Sequence, residues 1–431
     1  MDSSAHTPQN FEERVICHAI TWTWLYYLVG GLYILAPVLG WTLILRIGYK
    51  AYIQTELTPP RERVRFTLQA FVWSAAMLVM LLALIFGHIN FDLGIPALIK
   101  SSVGWAKGWA LLAVFVVIGA GADVRTSVIA RAANHLALQT LCLMPLFLLA
   151  PILHLPSRLY VSPLFALGGP GPEFFEVQLF GLAADNAGAR WQFFSPWAPA
   201  AGLVANVYLI FALQDKNKFW KVIGIATAIM MCLMSQSRLA LIAVLLVPLL
   251  TKGLSVLTRP KTVFALAASS TVIGLMMVQV FEFMDAANAR FVAARAASSR
   301  VRAALGRIAV QRWGSEAPIF GHGSVERGPH IVEYMPIGSH HTWYGLLFVK
   351  GAVGFAALVT PMIFSTCELL LKAQTSRTAQ AALSMVITIF LYTFGENLEI
   401  LVYQFWPGII LIGAASRQRF HNPFRKPFAR K

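Results

Sequence analysis

Two adjacent histidines, His340 and His341, close a polar stretch and head a hydrophobic one, in the run Gly338-Ser339-His340-His341-Thr342-Trp343-Tyr344. Histidine takes and returns protons near neutral pH, so one placed here can act as a general base on an acceptor hydroxyl. The pair and its aromatic neighbours also fit the belt of amphipathic rings at a membrane interface. Upstream, residues 298–334 contain Arg300, Arg302, Arg307, Arg312 and Arg327 and no lysine. A guanidinium is planar, permanently charged and matched to phosphate oxygens, so an anionic headgroup explains that choice better than solubility does. The plainer account is the solvated face of an amphipathic helix. Arg238 follows Ser235-Gln236-Ser237 at the boundary of two hydrophobic runs. It fits either a side chain reaching for the interface or a fixed cation for a lipid-linked phosphate. Lys350 lies inside a hydrophobic run, and Glu396 and Glu399 stand near the end of another. Ionisable groups at that depth are costly and are kept for a function or for each other. Adjacent histidines point apart on a helix, and no Asp-x-Asp pair or carboxylate set accompanies them, so the reading includes no metal and no cofactor.

The elements that must position these groups are membrane spans. The chain is 57% hydrophobic and 13% charged, about half the charged share of a soluble protein. The net charge of +16 is not read as a nucleic-acid surface, because the cations mostly flank apolar runs, as in loops held at the cytoplasmic face. The four cysteines show no disulfide or metal spacing. A bilayer core needs roughly 20 apolar residues per helix, and about eleven spans (ten to twelve) are expected. They begin near Trp22, Phe66, Val103, His135, Trp197, Phe219, Arg238, Val263, Thr342, Gln380 and Glu399. The fold class is therefore all-α, a single transmembrane domain over 1–431 with a smaller outer loop at 156–196 and a larger one at 284–341.

Lysine and arginine set the expected orientation. Arg46, Lys50, Arg125, Arg131, Lys252, Lys372 and the tail from Arg417 to Lys431 fall on one side, which should be cytoplasmic. The other side should hold the N-terminus and both large loops. Its arginines concentrate in 284–341, where the topology rule does not explain them. Within the smaller loop, Phe174, Phe175, Leu179 and Phe180 are expected on the membrane surface.

Three segments carry a resemblance. Ser235-Gln236-Ser237-Arg238 resembles the Ser/Thr-x-Ser-Arg opening of a span in the bacterial O-antigen ligase and polymerase family of membrane glycosyltransferases. Ser299-Arg300, followed by Pro318-Ile319-Phe320-Gly321-His322-Gly323, resembles that family's SR…PlfGxG segment. The run from Gly338 through Gly345-Leu346-Leu347-Phe348 to Gly351 and Gly354 resembles its GSHSxYLGLLxxxGxxG block, and counting back from the two glycines puts His340 at the family's histidine. His341 and Trp343-Tyr344 depart from the pattern. The resemblance implies a GT-C-like enzyme of the bacterial inner membrane, with its site facing the periplasm. The donor it implies is a glycan on undecaprenyl diphosphate. The acceptor is a sugar hydroxyl, on another lipid-linked glycan for a polymerase or on lipid A core for a ligase. Arg238 and Arg300 or Arg302 would bind the diphosphate, and His340 or its neighbour His341 would take the acceptor proton. Arg312, Lys350 and Glu396 would support them, and no metal would be used. The rival reading is a flippase or exporter of lipid-linked glycan, which needs the cations but no base.

Overall fold

The computed structural model describes residues 6–59, 62–182, 188–293 and 296–418, so the basic tail from Arg419 onward lies outside the described residues. The first half comprises α1 (Phe11–Thr21), α2 (Thr23–Leu28), α3 (Leu32–Ile53), α4 (Leu68–Asn90), α5 (Ile95–Lys107), α6 (Trp109–Gly121) and α7 (Thr126–Ile152). Two antiparallel pairs follow, β1 (Arg158–Val161) with β2 (Glu176–Gln178) and β3 (Gly181–Leu182) with β4 (Ala189–Arg190). The second half comprises α8 (Ala198–Gln214), α9 (Lys218–Ser235), α10 (Arg238–Leu254), α11 (Pro260–Leu275), α12 (Met277–Ala293), α13 (Ala296–Glu316), α14 (Thr342–Ala373), α15 (Arg377–Tyr392) and α16 (Leu398–Ser416). Among the described residues, seven helical runs are long and apolar enough to cross a membrane, with α5 and α6 forming one of them. α11 and the start of α12 meet the same test only as a pair bent by 81°. The protein is a mostly helical, membrane-embedded bundle.

Short polar residues between the apolar runs decide where helices begin. Thr67, Asn217, Ser237, Ser376 and Asn397 each accept a hydrogen bond from a backbone N–H in the first turn of α4, α9, α10, α15 and α16. Such a cap satisfies a donor that the helix cannot satisfy itself. α6 is apolar around its whole circumference, and both α6 and α16 are buried along nearly their full length at the centre of the bundle. Gly119 of α6 lies against the Ile410 carbonyl and Gly413 of α16 against the Val116 carbonyl, so close that a side chain at either would collide. Small residues at a crossing let helix backbones pack at short range in a membrane.

Two expectations need correction. The N-terminus was expected at the same end as the large loops, with the first span from Trp22. Instead Glu12 pairs with Arg46 (3.1 Å) and Lys50, and Glu13 with Arg125 (2.7 Å), so Phe11 lies at the opposite end. From there α1 and α2 run along α7, with Cys17 against the Val128 carbonyl and Trp24 donating to Thr140. Glu12, Glu13 and Arg14 lower the apparent hydropathy of this helix, but both glutamates are buried and neutralised by partners. The aromatic residues of the smaller loop, expected on the membrane surface, are buried: Phe174, Phe175, Leu179 and Phe180 cap the bundle, with Phe174 edge-on to Tyr33 and Trp197.

Candidate active site

α14 is not one straight helix. At Gly351 the chain takes φ 62° and ψ −164°, joining two helical pieces across a kink. Only glycine adopts this conformation readily, and a side chain here would collide with the Ile319 carbonyl. The break frees backbone groups that must be satisfied inside protein at this depth. The loop at 318–323 supplies their partners. His322 N–H and Gly323 N–H donate to the carbonyls of Phe348 and Val349 (2.9 Å each), and Ala352 and Val353 donate to the carbonyls of Pro318 and Ile319 (2.9 and 3.1 Å). His322 locks the joint: it is buried, stacks on Phe348 and bonds the Glu316 carboxylate at 2.8 Å. Arg312, in turn, binds Glu316 and Glu326. Two segments singled out separately in the sequence thus form one broken-helix joint, and Lys350 is the last residue before the break.

α13 lies across the start of α14. Leu305 and Ala309 are buried, and Gly306 sits against the Tyr344 ring. Arg302 precedes Leu305 by one turn and Gly306 by four residues, which puts it on the same face. Both Arg302 and Arg300 are exposed, but Arg302 lines the rim of the site and Arg300, two positions away on the helix, does not.

The two histidines part at the helix start. His341 is the N-cap of α14: its Nδ1 accepts from Tyr344 N–H at 3.4 Å and its ring stacks on Tyr344 at 3.9 Å. His340, one residue earlier, faces a cavity. Thr342 holds the opposite wall in place. Its hydroxyl donates to the Glu396 carbonyl at 2.7 Å and accepts from Leu398 N–H at 3.1 Å. That clamps the α15–α16 connection to the start of α14. Glu396 is only 3% exposed, and its carboxylate accepts from Trp197 Nε1 at 2.9 Å.

The cavity has a volume of about 640 Å³ and is lined by His340, Arg302, Lys350, Glu173, Glu396 and Glu399 together with Trp109, Phe174, Trp197 and Leu346. Lys350 Nζ stands 3.8 Å from Glu399 and 5.9 Å from the Trp109 ring centre. Two buried polar atoms of the wall, Trp109 Nε1 and Ser339 Oγ, have no hydrogen-bond partner among the described residues. Buried polar atoms are normally paired, so such a concentration in one cavity marks donors available to a ligand. Burial, with the nearby Arg302 cation, lowers the His340 pKa to about 4. The imidazole is therefore neutral at pH 7, the state a base requires. Burial raises the Glu396 pKa to about 7, against the opposing influence of Arg302, the Trp197 hydrogen bond and Arg190.

That raised value has a consequence for stability. The folded protein binds the Glu396 proton more tightly than the unfolded chain, so stability contributed by this group falls as pH rises from about 4.5 to about 7. Glu396→Gln mimics the protonated acid. It should raise the thermal midpoint by about 2–5 °C at pH 8 and leave it nearly unchanged at pH 5. Equal gains at both pH values in a thermal-shift assay would refute the assignment.

Of the residues expected at the site, His340, Arg302, Lys350 and Glu396 are brought together. His341 caps a helix, and Arg312 braces the loop at 318–323. Arg300 is exposed and off the cavity wall. Arg238, half-buried at the start of α10, is also off the wall, although its neighbour Leu239 touches Gly395 beside Glu396. Arg190 was not singled out in the sequence. It donates to the Ser235 carbonyl at 3.0 Å and contributes to the field at Glu396. Trp109, Trp197 and Ser339 were likewise not assigned a role, and no local pattern distinguishes them from other span-end residues. Among the described residues no three His, Cys, Asp or Glu side chains are grouped so as to hold a metal ion. No protein-family model and no curated protein matches the chain.

Proposed function

We propose that the protein is a GT-C-like membrane glycosyltransferase that moves a glycan from undecaprenyl diphosphate to a sugar hydroxyl in surface polysaccharide synthesis, as a polymerase or a ligase. The observation that carries this reading is the single cavity in which a neutral imidazole, two cations, three carboxylates and two unpartnered donors meet under aromatic walls. Arg302 and Lys350 bind the diphosphate; Arg238 and Arg300 lie off the wall and are left out of that cradle. Trp109, Phe174 and Trp197 offer faces on which sugar rings pack. The acceptor oxygen attacks C1 of the donor glycan while the bond from C1 to the phosphate oxygen breaks. Its electron pair leaves with undecaprenyl diphosphate, and His340 takes the hydroxyl proton. Attack opposite the leaving group inverts the anomeric centre. Growing charge on the leaving oxygens is stabilised by the two cations, so the chemistry is served without a metal. Seating the diphosphate also offsets the Arg302 cation, which raises the proton affinity of His340 when a proton must be taken.

The test is purified protein in nanodiscs with a lipid-linked donor and acceptor. Release of undecaprenyl diphosphate supports the transferase. Passage of intact donor across a vesicle membrane, with no bond broken, would establish the carrier instead. The proposed setting is a bacterial inner membrane with this site facing the periplasm, and α1–α2 adds a crossing to those expected from hydropathy. Ser315→Cys, at the exposed end of α13, should then react with an impermeant thiol reagent in spheroplasts, and Thr375→Cys, exposed at the opposite end of α14, should not. The reverse pattern would invert the orientation.

A further inference from the structure

At the other end of the bundle, the ends of α8 and α10, the first turn of α9 and the α14–α15 connection frame a second cavity of about 340 Å³. Its wall carries four cations, Lys221, Lys252, Arg259 and Arg377, and no carboxylate among the described residues. None of the four makes an ion pair or a side-chain hydrogen bond with another described residue. Some cations at this end are matched, Arg46 and Lys50 by Glu12, Arg125 by Glu13, Arg131 by Asp215 and Lys372 by Glu368; others, such as Lys216, Lys218 and Lys261, are unmatched among the described residues but do not line this cavity. What sets these four apart is that they line one concavity without a carboxylate among its described residues, where like charges repel until an anion enters. The wall is also built. Gln374 donates to the carbonyls of Leu254 and Leu370 (2.7 and 2.8 Å), and Thr251 bonds Ser384 at 2.8 Å.

We propose that this cavity binds the phosphate of an anionic phospholipid. It lies where spans end, and the helices beside it expose apolar side chains for acyl chains: Phe219 and Val222 on α9, Leu245 and Leu249 on α10. Basic pockets between spans are suited to acidic headgroups in this way. The site is separate from the His340 cavity, and its test does not depend on transferase activity.

The delipidated protein in neutral detergent is titrated with phosphatidylglycerol, phosphatidylcholine or inorganic phosphate while its thermal midpoint is followed. Phosphatidylglycerol should raise the midpoint by several degrees and phosphatidylcholine should not. The Lys252→Gln/Arg377→Gln double variant should lose the gain, and Lys252→Arg should keep it. An equal gain from millimolar inorganic phosphate supports the phosphate site and identifies its ligand as soluble. An equal gain from phosphatidylcholine, or one that survives in the double variant, overturns the proposal. If the double variant does not fold, the native protein still decides. Its gain should shrink between about 0.05 and 0.5 M NaCl as the charges are screened, and a salt-independent gain overturns the proposal.

Discussion

Replacing His340 by alanine should lower kcat by roughly 10²–10⁴-fold and leave donor binding near that of the native protein. His340 faces the cavity, is neutral at pH 7 and has Arg302 close enough to perturb it. A base acts on the barrier and not on the ground-state affinity for the donor, so the loss belongs in kcat. His341→Ala is the control beside it. It removes an N-cap, which costs about 1 kcal/mol of stability, and should leave kcat within a few-fold. Turnover and donor binding are measured on folded protein in nanodiscs. If His341→Ala is inactive and His340→Ala is active, the roles of the two are exchanged. If both turn over normally, neither histidine is the base.

Arg302→Ala should reduce kcat/KM by about 10²–10³-fold, the usual cost of removing one group that stabilises developing negative charge. The loss should divide between a raised KM and a lowered kcat, because the diphosphate is charged in the ground state and gains charge as the bond breaks. Arg302→Lys should rescue only part, since an ammonium lacks the two-pronged geometry of guanidinium. Arg300→Ala should be near native, because its side chain lies off the cavity wall. A second readout separates an electrostatic role from a structural one. Removing the cation raises the His340 pKa from about 4 toward its ordinary value. The acid limb of the kcat/KM profile should therefore move to higher pH in Arg302→Gln. An unshifted limb, or Arg300→Ala matching the Arg302→Ala defect, would remove Arg302 from the site.

The sequence alone determined a mostly helical membrane-embedded protein, because a continuous apolar run is a local property that survives any packing; of about eleven expected spans, seven helices among the described residues are long and apolar enough to cross a membrane. It also singled out the segments that line the candidate cavity, while the polar caps emerged only with the structure. The groups that meet there, His340, Arg302, Lys350 and Glu396, were all in view as chemically unusual for their surroundings. Tertiary structure decided what local pattern cannot carry. α1 was missed because its charges read as solvated until Arg46, Lys50 and Arg125, each more than thirty residues away, are seen to neutralise them. The aromatic residues of the smaller loop read as membrane-seeking, but the end of the bundle offers them a drier surface. Arg302 was separated from Arg300 by the face on which α13 packs, and His340 from His341 by which of the two caps α14. The break at Gly351 depends on hydrogen bonds from the loop at 318–323, which restore the backbone partners that the kink removes. Residue type is written in the chain, but which types share a cavity is set by helices that pack against one another across hundreds of residues.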